Sequence, residues 1–259
     1  MKLFSFFALT FAWSWACWLF SSLEEAESAR FSEVLLLMGG FGPSIAAVAV
    51  VSFSKGHGAT RVWFMRCLQW WPVRIWMAFA LVLPLMVMGL AAGLQLALGG
   101  IMPPSPAMGH GWLAAANFFL IFLFGGPLGE EFGWRGYALP ELQARWGWRR
   151  ASLLLGVVWA VWHLPLFYMA GTPQSQTPVA TFTASTIALS VLFAWLSNRT
   201  LQSVWPALVL HTAINAWPAI IPIMPSSEYP RPYQLVVGLL VAIAMGLFFC
   251  TDSSTAPES

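Results

Sequence analysis

The 259-residue chain is 59% hydrophobic and 8% charged, with 12 Lys and Arg against 10 Asp and Glu for a net charge of +2. Soluble domains carry about a quarter charged residues, so the composition excludes an ordinary soluble protein. The small net charge says little by itself, and no nucleic-acid partner is expected.

A membrane-spanning helix needs roughly 20 predominantly apolar residues. Eight such stretches are predicted, over 3–20, 34–53, 76–99, 112–130, 151–170, 179–196, 203–224 and 235–250. Their connections are too short to hold a soluble domain. Residues 1–259 are therefore expected to form one all-α membrane domain, a polytopic transmembrane helix bundle. In the first stretch, Lys2 precedes an apolar run as in a signal peptide, but the run reaches Phe20 without a clean small-x-small cleavage site. Cys17 also lacks a leucine three residues earlier, so an uncleaved first helix is expected.

The second stretch is broken by Gly39-Gly40-Phe41-Gly42-Pro43, which is read as a site of close helix packing. Residues 59–75 then mix Arg with Trp as an interfacial helix does, and 136–150 look similar. A positive loop that fixes topology accounts for most of this pattern. Gly125-Gly126-Pro127 breaks the fourth stretch just ahead of Glu130 and Glu131, and both a positioning kink and helix packing fit it. Cys17, Cys67 and Cys250 have no metal-binding spacing.

With eight spans, both termini and the even-numbered connections share one side. That side holds Lys2, Lys55, Arg61, Arg66, Arg74, Arg135, Arg145, Arg149, Arg150 and Arg199, and the other only Arg30 and Arg231. The positive-inside rule then puts both termini in the cytoplasm, in a multi-pass protein expected in a bacterial cell (inner) membrane. Glu24, Glu25, Glu27 and Glu33 fall in the first external loop. A reporter enzyme active only in the periplasm should be inactive when fused after Ser259 and active when inserted in 24–33. An active C-terminal fusion would mean that the spans are miscounted.

Ionisable groups inside apolar spans are costly and usually mark function. Glu131 and Arg135 stand four apart and face each other on a helix. Glu130 lies about 100° round the axis, is poorly placed for that arginine, and is left available as a general base. His163 lies about 18 Å into the fifth stretch at 1.5 Å per residue, with Trp159 one turn below to shelter the imidazole. His211 and Asn215, again four apart, share a face and suit stabilisation of an oxyanion. Interhelical hydrogen bonding is the plainer role for such pairs, but three spans each presenting polar groups multiply the insertion cost.

Glu-Glu-x-x-x-Arg at 130–135, aromatic-x-x-x-His at 159–163 and His-x-x-x-Asn at 211–215, each on its own span, resemble the CAAX protease and bacteriocin-processing (CPBP, or Abi) family of intramembrane glutamic endopeptidases. Trp159 departs from the family's more usual Phe but remains a large aromatic. The resemblance implies a membrane-embedded, metal-free peptidase acting on a membrane-associated peptide or protein, with membrane lipids around it. It also implies that Glu130 and His163 activate water and that His211 and Asn215 bind the oxyanion. Glu131 and Arg135 would hold the site together or touch the substrate.

No cofactor is expected. Zinc is the alternative, because Glu130, His163 and His211 offer one carboxylate and two imidazoles, although His-Glu-x-x-His is absent. Two other function classes compete. A proton-coupled transporter would tend to show repeats and paired broken helices, and none is evident. A non-catalytic immunity or scaffold protein would not need Glu130 and Asn215 together.

Overall fold

A computed structural model describes residues 2–23, 29–224 and 229–251. Glu24, Glu25, Glu27 and the C-terminal residues 252–259 lie outside these. The described residues form ten α-helices and no strand: α1 Lys2–Leu23, α2 Ala29–Gly40, α3 Gly42–Cys67, α4 Arg74–Ala97, α5 Trp112–Phe124, α6 Pro127–Gly133, α7 Leu139–Trp162, α8 Val179–Arg199, α9 Trp205–Ala216 and α10 Arg231–Cys250. A π-helical turn, Trp134–Ala138, joins α6 to α7.

Among the described residues, five helical segments are long and apolar enough to cross a membrane, and six if α2 and the start of α3 count as one span. Those two meet at Phe41 with a bend of 51°. Two of the apolar stretches are not single long helices. The stretch 112–130 holds the 13-residue α5, a break, and α6, while 203–224 holds the 12-residue α9. In the fifth stretch the α-helix stops at Trp162 and continues as a 3-10 turn over Leu164–Tyr168. The Arg- and Trp-rich segments are largely helical, with a positive-φ glycine just ahead of the first (Gly56) and inside the second (Gly147).

Large apolar side chains such as Phe53 (92% exposed), Met86 and Phe249 point outward, as lipid-facing residues do. The interior is close-packed around Phe6, Trp18, Trp134, Trp162 and Phe193. Breaks within a hydrocarbon layer free backbone groups that must find partners inside the protein, and here they do. The indoles of Trp13 and Trp18 on α1 donate to the carbonyls of Met38 and Leu36 beside the α2–α3 bend. Asn117 on α5 donates to the Ala216 carbonyl ending α9 (3.2 Å), and Asn215 on α9 donates to the Gly125 carbonyl just past α5 (3.2 Å).

Small residues let helices approach where they carry the site. A Cβ on Gly129 would strike the Gly40 carbonyl, and one on Gly133 the Pro43 backbone, so α6 lies directly against the α2–α3 bend. The glycines at 39–43 thus serve close packing, as expected, and a bend as well. At the next interface, Ser190 Oγ on α8 donates to the Ser152 carbonyl on α7 (2.8 Å).

Candidate active site

Glu130 and Glu131 begin the buried face of a seven-residue helix whose entry is set by Gly126. Gly126 has φ of +109°, a left-handed value that disfavours any residue with a Cβ. A Cβ there would also stand 2.8 Å from Glu130 Oε1 and 3.8 Å from Nε2 of His211. The Gly-Gly-Pro break is therefore a positioning device, because it turns the chain and leaves room beside the carboxylate.

The two neighbouring carboxylates have different surroundings. Glu131 is fully buried, and its Oε1 accepts from Arg135 Nη1 at 2.9 Å and pairs with His211 Nδ1 at 2.7 Å. The Arg135 guanidinium, 1% exposed, packs over the rings of both Trp159 and Phe193, 4.2 and 3.9 Å from their centroids. Such stacking suits the flat guanidinium. Arg135 sits in the π-helical turn, a local widening often found at functional sites.

Glu130 makes no ion pair among the described residues. Its Oε2 accepts from the indole of Trp159 at 2.6 Å and from that of Trp134 at 3.3 Å. The i,i+4 pairing of Glu131 with Arg135 is thus present as the spacing predicts, and Glu130 lies apart from it. The sequence reading missed that two tryptophans hold Glu130. The Trp134 contact was legible, since Trp134 stands four residues after Glu130, but the Trp159 contact joins α6 to α7 and was not. Trp159 shelters His163, with ring centroids 5.9 Å apart, and also grips the carboxylate.

His163 caps α7, and its Nδ1 lies 2.8 Å from the Trp159 carbonyl. A carbonyl only accepts, so Nδ1 carries the hydrogen and neutral His163 keeps a lone pair on Nε2. The same logic holds for His211 against the Glu131 carboxylate. With Nδ1–H directed at Glu131, neutral His211 accepts at Nε2, and only the imidazolium donates there. Asn215 gives one amide hydrogen to Gly125 and keeps the other.

Glu130, His163, His211 and Asn215 all line one cavity of about 590 Å³, whose walls are otherwise mainly apolar. Volumes of this size suit small ligands or a short peptide segment. Among the described residues, no three His, Cys, Asp or Glu side chains converge as a metal-binding group, and the set Glu130, His163 and His211 is not one.

Residues 111–217 match the family model described as type II CAAX prenyl endopeptidase Rce1-like. Over this segment the chain is similar to the CAAX protease family. Every residue of the site described above lies within it. The chain is also 33% identical over 92 residues to a CAAX prenyl protease 2 from Methanococcus maripaludis, a match covering 33% of this chain and 34% of that protein. The chain thus spans about a third of the length of the curated relative it matches. The family is one of hydrolases, and the apolar helices make this a multi-pass membrane protein.

Proposed function

We propose that the chain is an intramembrane endopeptidase in which Glu130 is the general base for hydrolysis of a peptide bond in a membrane-associated polypeptide. The observation that carries this reading is the contrast between adjacent carboxylates. Glu131 is neutralised by Arg135 and His211, whereas Glu130 is held by neutral indole donors and faces the cavity.

In this mechanism the ionised Glu130 takes a proton from water while His163 Nε2 accepts that water's second hydrogen bond and orients it. The water oxygen adds to the substrate carbonyl, whose electrons move to the oxygen. The free amide hydrogen of Asn215, and Nε2–H of His211 when protonated, stabilise that oxyanion. Collapse re-forms the carbonyl and breaks the C–N bond, and Glu130 returns its proton to the departing amine. Glu131 and Arg135 hold His211 and the floor of the site.

The test is a proteomic comparison of membranes containing wild type with those containing Glu130→Gln. New C-termini or released fragments are expected with wild type only, and identical profiles would favour a non-catalytic scaffold. Metal independence belongs to the same proposal. Cleavage should survive exhaustive dialysis against a strong chelator. Activity lost on dialysis and restored by stoichiometric zinc would recast Glu130, His163 and His211 as ligands.

A further inference from the structure

The helices give the molecule two distinguishable ends. One carries Lys2 at the start of α1, Arg61 and Arg66 near the end of α3, Arg74 opening α4, Arg145, Arg149 and Arg150 around the Gly147 elbow of α7, and Arg199 ending α8. Contacts tie this end together. The Trp63 indole and Arg66 donate to the Gly136 carbonyl, Val204 N–H donates to Cys67, and Arg149 donates to the Thr251 carbonyl. The opposite end carries Arg30 opening α2 and Arg231 opening α10. It is joined by such contacts as Ala107 N–H to the Ala219 carbonyl.

The cavity belongs to the second end. Beyond the site residues, its walls include Glu33 in the first half of α2, Thr172 and Gln174 between α7 and α8, Met224 after α9, and Tyr233 in the first turn of α10. Among the described residues, none of its lining comes from 58–74, 134–150 or 197–205, segments of the cationic end. Glu131, Arg135 and Trp134, all buried, close the floor between Glu130 and those cations.

Cations concentrate on the cytoplasmic side of membrane proteins. We infer that the site is loaded from the extracytoplasmic face, and that its substrate is an externally exposed segment of a membrane-associated polypeptide. This rests on the peptidase reading above. Among the described residues the lining contains two carboxylates, Glu33 and Glu130, and no Lys or Arg. Two carboxylates with no fixed cation beside them in this lining favour a segment that is neutral or cationic near the scissile bond.

Access can be measured without activity. In the full-length protein with Cys17→Ser, Cys67→Ala and Cys250→Ser, single cysteines are placed at Gln174 or Gln176, beside the cavity mouth, and at Ala144, beside the α7 elbow. A membrane-impermeant maleimide applied to intact cells should label Gln174→Cys or Gln176→Cys and leave Ala144→Cys unlabelled until lysis. The reverse pattern overturns the inference. The cut sites lost in Glu130→Gln membranes supply a second readout, expected in extracytoplasmic segments, and cuts confined to cytoplasmic segments also overturn it. External labelling with no cleavage by detergent-solubilised protein, where both faces are open, would instead sink the peptidase reading alone.

Discussion

Glu130→Gln is expected to abolish detectable peptide cleavage while leaving the folded protein intact. A general base supplies about 10²–10⁴-fold in rate, and glutamine cannot take a proton from water. Glutamine nearly matches glutamate in shape and keeps an oxygen that can accept from the Trp159 indole, so the α6–α7 contact survives. His163→Ala should also abolish cleavage, because it removes the nitrogen that orients the water. Asn215→Ala should retain a small residue of activity, since losing one oxyanion donor costs about 10²–10³-fold. Turnover of a cleaved membrane polypeptide by purified variants in detergent, with thermal melting beside it, checks all three. Glu130→Gln turning over at the wild-type rate would remove Glu130 from the chemistry.

Arg135→Ala and Glu131→Ala are expected to do the opposite, with large losses of folded yield and melting temperature. Removing one member of a buried ion pair strands the other, typically at a cost of about 3–5 kcal/mol. Arg135→Ala also removes the guanidinium packed over the Trp159 and Phe193 rings. Glu131→Ala leaves a buried guanidinium and an unanchored His211. Arg135→Lys should recover only part of the loss, because a compact ammonium keeps the charge but not the flat stacked surface. Melting and yield in detergent decide the matter. Equal losses for Glu130→Gln, Glu131→Ala and Arg135→Ala would refute the division of labour between the two glutamates.

The sequence by itself determined what depends on local spacing and on composition. Apolar runs announced a helical membrane protein, because hydrocarbon admits little else that satisfies the backbone. The Glu131–Arg135 pair and the separateness of Glu130 followed from helical geometry, since residues four apart share a face and residues one apart do not. His211 and Asn215 were correctly put on one stripe of α9, and both line the cavity.

Only the tertiary structure decided what depends on which helices meet. Indole and imidazole donors can reach any neighbour within hydrogen-bond distance, and chain position does not say which one. Trp159 therefore appeared as shelter for His163 when it also holds Glu130, and that His211 Nδ1 meets Glu131 could not be read from spacing. Helix bounds differ from the apolar stretches for a related reason. Hydropathy continues through Gly125-Gly126-Pro127 and past Trp162, but the helix does not, because glycine, proline and side-chain caps from other helices let the backbone turn inside an apolar stretch. Those turns bring Glu130, His163 and Asn215, from three separate helices, to one cavity.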